Sequence, residues 1–419
     1  MLDWNDTHPY NAVHVVRVPA PLDVERLRSV LEHTLENRGL TGLSLDRNAG
    51  TYRYHGGSAP CEIHVLEANG DERSVLAVEI EQQLNAPFIL NEGFSPFRFF
   101  VVPGASFFSF GLTYFHAVAD AESSVLLVKE IFQAYLTRTN GAVPGVIYPP
   151  RFDNVLRHQP AVLARKLAGI PAFVSMIRTS SRPPHRNGQP TTSGFTMCAL
   201  GPEKFRRLTT TAKAWGVTMN DLFLGSLLKS LSLVAAHRTL TARRRKISVG
   251  CIVNTRRDWG LQGKPVFGLF LGSFIVTHDV PEEMPLRALV LDLHRQTQSI
   301  KRRKLYLAAP LEMAVARLAM SLFSVERAKK FYHRYYPLWG GITNLNLNVL
   351  WTEGDQKEPI DYLRAVSTSP ATPLVLSVTT SGNTINIGFT FRSTAFLAAE
   401  MEQVKNSFLE EVAKAGVEN

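Results

Sequence analysis

A histidine and an aspartate stand four residues apart in "FHAVAD", residues 115–120. An imidazole with an unperturbed pKa of about 6.5 can take a proton from an attacking nucleophile near neutral pH and return it to a leaving group. The segment before it, "SFFSFGLTYF", reads as a strand with Phe108, Phe110, Leu112 and Tyr114 on one face and Phe107 and Phe115 on the other, so both faces are apolar and the strand is central in its sheet. The segment after it repeats Val125, Val128, Ile131, Phe132 and Tyr135 at helical spacing, with Asp120, Ser123 or Ser124 able to cap the start. His116 therefore sits at a strand-to-helix junction, where α/β proteins expose reactive groups to clefts. Spacing alone leaves two readings open: His116 is a reactive base, or it is a structural histidine and Asp120 merely caps the helix.

Other chemistries lack their signatures. There is no GxSxG elbow, P-loop, GxGxxG or HExxH. Cys61, Cys198 and Cys251 lie far apart, without CxxC or Cys/His ligand spacing, so neither a disulfide framework nor a metal site is expected. At 419 residues, with 45% hydrophobic and 20% charged residues, the chain suits two globular lobes rather than a disordered protein. The net charge of +10 is concentrated in the middle: Arg151, Arg157, Arg165, Lys166, Arg178, Arg182 and Arg186 face only Asp153, and "RRRK" (243–246) and "KRRK" (301–304) follow. Such charge suits a solvated surface, an anionic membrane face, or an anionic substrate or carrier. No nucleic-acid partner is expected, because no zinc-finger, RNP-like or basic-heptad pattern accompanies it. The start "MLDWNDTHPYNAV" does not read as a signal peptide, and no apolar run reaches the roughly 18 residues of a membrane span. The expected location is the cytoplasm, with peripheral membrane contact left open.

The elements around the junction alternate. "AVHVVRV" is a strand, followed by a helix capped by Asp23, apolar on Leu27, Val30, Leu31 and Leu35, and stopped at Gly39. Past a Pro- and Arg-rich crossover come a strand near "GFTMCAL", a helix over 202–215 ending at Gly216, a buried helix from "VTMNDLFLG", and a strand "KISVGCIVNTRR". Helices over 283–303 and 310–323, a strand "GGITNLNLNVLW", a hairpin turning at Ser381-Gly382-Asn383 and a terminal helix on Leu397, Met401, Val404, Phe408 and Val412 complete the chain. The resulting division is a lobe over 1–145, a crossover over 146–190 and a second lobe over 191–419.

On these residues the chain resembles the HxxxD acyltransferase superfamily, which includes chloramphenicol acetyltransferase, wax-ester synthases, polyketide-associated acyltransferases and condensation domains. Besides "FHAVAD", the resemblance rests on "LNAPFILNEGFSPFRFFVV", "GVTMNDLFLGSLLKSL", "VGCIVNTRRD" followed by "FGLFLGSF", and "GGITNLN". It runs through essentially the whole length. It implies an α/β fold of two chloramphenicol-acetyltransferase-like lobes with a tunnel and active site between them.

The resemblance also implies His116 as general base, Asp120 paired structurally with Arg256 of the second lobe, and Thr343 and Asn344 as donors to the developing oxyanion. The donor would be acyl-CoA or an acyl group on the phosphopantetheine of an acidic acyl carrier protein, with no bound cofactor. The acceptor would be a hydroxyl or amine of a small secondary metabolite or lipid. This reading puts ester formation by a freestanding acyltransferase first. Its alternatives are amide formation of the condensation type and a non-catalytic relative that binds a carrier or lipid in the cleft. Phe115 and Ala121 stand where many relatives have a second histidine and a glycine.

Overall fold

The computed structural model describes residues 2–67, 71–137, 160–187, 189–235, 243–309, 336–351 and 361–415. In chain order these form α1 (Leu2–Asn5), β1 (Asn11–Val18), α2 (Val24–Asn37), β2 (Leu43–Asp46), β3 (Thr51–Tyr54), β4 (Ile63–Val65), α3 (Glu72–Asn85), β5 (Phe97–Pro103), β6 (Phe108–Phe115) and α4 (Ala121–Thr137). There follow α5 (Pro160–Ala168), α6 (Ile170–Thr179), β7 (Ser193–Leu200), α7 (Pro202–Trp215), α8 (Met219–Val234), β8 (Ile247–Asn254), β9 (Leu271–His278) and α9 (Leu286–Arg302). The last are β10 (Leu338–Asn346), α10 (Leu347–Leu350), β11 (Tyr362–Val366), β12 (Leu374–Ser381), β13 (Thr384–Arg392) and α11 (Ala398–Ala415).

Two sheets organise the lobes. The first has the order β11-β1-β6-β5-β4, the second β7-β13-β12-β10-β8-β9. All eight residues of β6 are buried, as expected of a strand apolar on both faces. The register Asn11↔Phe115 to Val18↔Phe108 locks β6 to β1. A further bond from the His116 amide to the Tyr10 carbonyl at 3.1 Å extends the ladder one residue into the loop. Helices α2 and α4 cover one face of this sheet, and α3 lies against the other and reaches β7 of the second lobe.

Local rules account for most element ends. Asp23 accepts from the Arg26 amide to cap α2, whose buried stripe is Leu27, Val30, Leu31, Thr34 and Leu35. Helix α7 starts on Pro202 and ends on Gly216 at φ 66°, a left-handed stop that glycine takes without strain. Thr218 and Asp221 form a reciprocal capping box on α8.

The structure corrects three expectations. Strand β10 stops at Asn346 instead of running to Trp351, because the Asn346 side chain accepts from the Asn348 amide and starts the short α10. Leu397 is 43% exposed and precedes α11, whose buried face is Met401, Val404, Phe408, Glu411, Val412 and Ala415. The face of β13 bearing Asn386, Gly388 and Thr390 is buried as well, because β11, a late strand that joins the first sheet, packs across β12 and β13. The helix expected over 310–323 and the crossover residues before Pro160 lie outside the described residues.

Gly388 marks this seam. A Cβ there would lie 2.4 Å from the Arg364 carbonyl oxygen on β11, and backbone gives way less readily than a side-chain tip. Gly388→Ala is expected to destabilise the fold by about 1–3 kcal/mol in urea unfolding; an unchanged midpoint would mean that the two sheets do not meet this closely.

Candidate active site

The end of β6 delivers His116 to a buried position, with 6% of its surface exposed. Its Nδ1 lies 2.9 Å from the Ala119 carbonyl oxygen. A carbonyl can only accept, so Nδ1 carries the proton and Nε2 is left as the acceptor. The ring stacks on Tyr10 with centroids 5.1 Å apart and planes at 17°, and meets the edge of Tyr114 at 5.7 Å. Both tyrosines follow from strand geometry: Tyr114 is two residues back on the same face of β6, and Tyr10 is the cross-strand neighbour. Burial pushes the His116 pKa below 6.5, and the positive charge of Arg364 adds to this; the Ala119 bond and the Asp120 charge act the other way. The imidazole is therefore neutral at neutral pH.

Asp120 does not bond the imidazole. Its Oδ1 accepts from the Ser123 amide at 2.9 Å, which caps α4, and from Arg256 Nη2 at 2.9 Å. Its Oδ2 accepts from Arg256 Nη1 at 2.8 Å and from the Phe270 amide at 2.8 Å. Both sequence readings of Asp120, helix cap and partner of Arg256, hold at once. Arg256 also donates to Ser123 Oγ at 2.7 Å and lies over the Phe270 ring at 4.4 Å. Ser123 Oγ in turn donates to the Gly268 carbonyl at 2.8 Å, and the Asp120 amide reaches the same carbonyl at 3.0 Å. The start of α4 is thus pinned to the second lobe by a charge pair, a serine and the 266–270 loop.

Strand alternation separates Thr343 and Asn344. Ile342 belongs to the second-lobe core, whereas Leu345 packs against the first-lobe core. Thr343 shares the Leu345 face and is half-buried, while Asn344 points to the opposite face and is exposed. Neither hydrogen-bonds His116 in the described structure; the Thr343 carbonyl accepts from Arg364 Nη2 at 3.3 Å. Phe115, in the place of a second histidine, is fully buried against Phe88 and Phe94, so it faces core and not the imidazole. Ala121 opens α4 in ordinary helical conformation and does not need glycine. Among the described residues no group of histidine, cysteine, aspartate and glutamate gathers to hold a metal ion.

Sequence reasoning missed the polar cluster beneath the histidine. His14 on β1 pairs in register with Arg364 on β11, and its Nδ1 lies 2.8 Å from the Tyr362 hydroxyl. Its ring also contacts the edge of Tyr114, at 5.5 Å. Arg364 is 1% exposed and donates to Thr379 Oγ1 at 2.8 Å and to the Val378 carbonyl at 2.7 Å. No carboxylate pairs with it among the described residues. Burial pushes its pKa down to about 10. The same burial, together with the charge of Arg364 and the neighbouring His116, drives the His14 pKa well below 6.5. A histidine amid the valines of β1 was the visible signal, but its partners are contributed by a strand some 350 positions later.

The Condensation domain family model matches residues 4–416. The structure is similar to the first condensation domain of the calcium-dependent antibiotic synthetase, solved with a substrate analogue: TM-score 0.69 at 15% identity, covering 98% of this chain and 92% of that one. It is similar to the SgcC5 protein from Streptomyces globisporus, with TM-score 0.67, 14% identity, and 98% and 93% coverage. It is also similar to the epimerization domain from the third module of tyrocidine synthetase B, with TM-score 0.64, 12% identity, and 99% and 94% coverage. At these identities the likeness concerns the fold, which is the expected pair of chloramphenicol-acetyltransferase-like lobes. No curated protein sequence matches the chain.

Two predictions follow from the geometry. Arg256→Met leaves the Asp120 carboxylate buried without its counter-charge and should cost about 3–5 kcal/mol of stability. Combining it with Asp120→Ala should cost less than the two single changes added together, a coupling that a double-mutant cycle in urea would measure; simple additivity would deny the pair. For pH, His14 and His116 bind a proton more weakly folded than unfolded. Stability is then full above pH 6.5 and falls as pH drops through 6.5 towards their lower folded values, by at most about 1.4 kcal/mol per pH unit for each histidine. His14→Asn should flatten that slope, and an equal slope in wild type and variant would contradict the assignment.

Proposed function

The chain belongs to the condensation-domain family, and from that premise we propose that it joins an acyl group, held as a thioester on the phosphopantetheine arm of a carrier protein, to the amine of an acceptor, with His116 as general base. The acceptor nitrogen attacks the thioester carbonyl and gives its proton to His116 Nε2. The tetrahedral intermediate then expels the thiolate, to which the imidazolium returns the proton. One observation carries this reading: the Nδ1 proton is held by the Ala119 carbonyl in a ring that burial keeps neutral, which leaves Nε2 as a ready acceptor.

The other site residues act around that step. Asp120 and Arg256 hold the loop that aims His116, without touching substrate. Thr343, on the face of β10 towards the first lobe, is the better placed of the two oxyanion candidates. Asn344, on the opposite face, would need its main chain for the same task. The ester reading that the sequence put first yields to amide formation, because the matched family is that of condensation domains. Acyl-CoA presents the same phosphopantetheine arm and is the natural second donor to test, and the +10 charge suits the phosphates of one or the acidic surface of the other.

The test is thiol release from acyl-carrier-protein and acyl-CoA donors, with amine or alcohol acceptors and product analysis, in wild type and His116→Ala. Amine-dependent release should fall about 10²–10⁴-fold in the folded variant. Ester products alone would restore the hydroxyl-acceptor reading. Carrier binding that survives in both proteins, without acceptor-dependent release from either, would make the chain a non-catalytic binder.

A further inference from the structure

The crossover carries a surface that the acyl-transfer reading does not use. Helices α5 and α6 together have the length and apolar composition of a membrane segment, but a 46° bend divides them. No single described helix is long and apolar enough to cross a membrane. With 9 and 10 residues, each helix is about 15 Å long, half of the roughly 30 Å hydrocarbon core, so neither could span it.

One side of this pair is anchored to the second lobe. Val162 is 3% exposed, α5 rests on the 3-10 turn Leu305–Ala308, and Ser248 Oγ donates to Met176 Sδ at 3.6 Å. The other side is open. Leu167 is 54%, Ile170 50% and Val174 38% exposed, and α6 contains no buried residue although most of its side chains are apolar. Exposed branched aliphatics with no hydrogen-bonding capacity mark a surface that something apolar covers.

The charge pattern points to what covers it. The eleven residues "LAGIPAFVSMI", 167–177, carry no charge and are bracketed by Arg165 and Lys166 on one side and Arg178 on the other. Arg165 and Arg178 are exposed. Between Asp153 and Glu203 the sequence has no acidic residue at all. Apolar side chains flanked by cations, on helices too short to span, match a segment that lies in the plane of an anionic lipid interface: aliphatic groups enter the acyl boundary while the arginine stems reach back to the headgroups. An acidic protein partner would be met by the arginines, but it would give the aliphatic stripe between them no such solvent.

We propose that Pro160–Thr179 is an interfacial seat by which the protein rests on an anionic membrane surface. The test is flotation of the full chain with phosphatidylcholine vesicles, with and without phosphatidylserine. Wild type should float with the phosphatidylserine vesicles and be released by salt. Arg165→Gln with Arg178→Gln should weaken binding roughly thirtyfold, at about fivefold per charge. Ile170→Asp with Val174→Asp, at exposed positions, should abolish it without changing the circular dichroism. The proposal is overturned if wild type stays with the soluble fraction, or if both variants float as well as wild type. It is equally overturned if the substitutions impair binding of an acidic carrier protein while vesicle binding is unaffected. None of these outcomes depends on His116 chemistry, so the acyl-transfer reading stands or falls separately.

Discussion

The geometry of the site depends on one buried ion pair, Asp120 with Arg256. Besides the bonds of the Asp120 amide and Ser123 Oγ to the Gly268 carbonyl, this pair is the charged tie between the strand-to-helix loop and the second lobe. Its two charges make it the tie with the most to lose if broken. Taking two charges out of water costs several kcal/mol, and the cost is offset only when geometry and hydrogen bonding are complete. Here both carboxylate oxygens are doubly satisfied, the guanidinium is bidentate and lies on an aromatic face, and the carboxylate sits at a helix N-terminus where the dipole favours negative charge. Arg256 can serve in this way because β8 ends in a 3-10 turn over Arg256–Trp259 that turns its side chain inward. The tie lies four residues from the imidazole, so it sets where the ring stands without bonding either ring nitrogen; Nδ1 is held by the Ala119 carbonyl and Nε2 is left as the acceptor.

A second constraint is electrostatic. Arg364 keeps a positive charge in the seam between the sheets, supported only by neutral acceptors among the described residues. Such a charge disfavours any further proton nearby, and the two nearest candidates are His14, directly opposite in the ladder, and His116, one ring beyond Tyr114. Burial is the main reason both histidines stay neutral, and the Arg364 charge adds to it. The base of the proposed reaction has to start without a proton, and burial, with a fixed cation adding to it, supplies that condition here without an acidic partner on the ring.

Much of this was legible in the sequence where the cause is local. The two-faced apolar run of β6, the Asp23 cap, the Pro202 and Gly216 ends of α7 and the His116 junction all follow from rules that act within a few residues. The Asp120–Arg256 pair was reached only through resemblance, since nothing in the spacing of two residues 136 apart foretells contact. The cluster of His14, Tyr362 and Arg364 was not reached at all. It depends on β11 leaving the second lobe to pair with β1, and a five-residue strand with no unusual pattern does not announce which sheet it joins. The same strand explains why the polar face of β13 is buried: alternation predicts two faces, but not that both will be covered.

The fold by itself does not decide between chemistries, since it is shared with a condensation domain and with an epimerization domain. The acyl-transfer reading proposed above needs a base that starts without a proton, and the neutral His116 meets that need. A buried imidazole with a lowered pKa is a weaker base than a free one, and that reading does not require a strong base. As the new C–N bond of the proposed reaction forms, the nitrogen becomes cationic and its proton grows acidic, so a weak base is sufficient. The same weakness helps the second half of the reaction, because an imidazolium disfavoured by its surroundings readily surrenders its proton to the departing thiolate. Burial, with the Arg364 charge adding to it, therefore gives His116 an environment that suits the proposed reaction, in which the proton is held only for the lifetime of a tetrahedral intermediate.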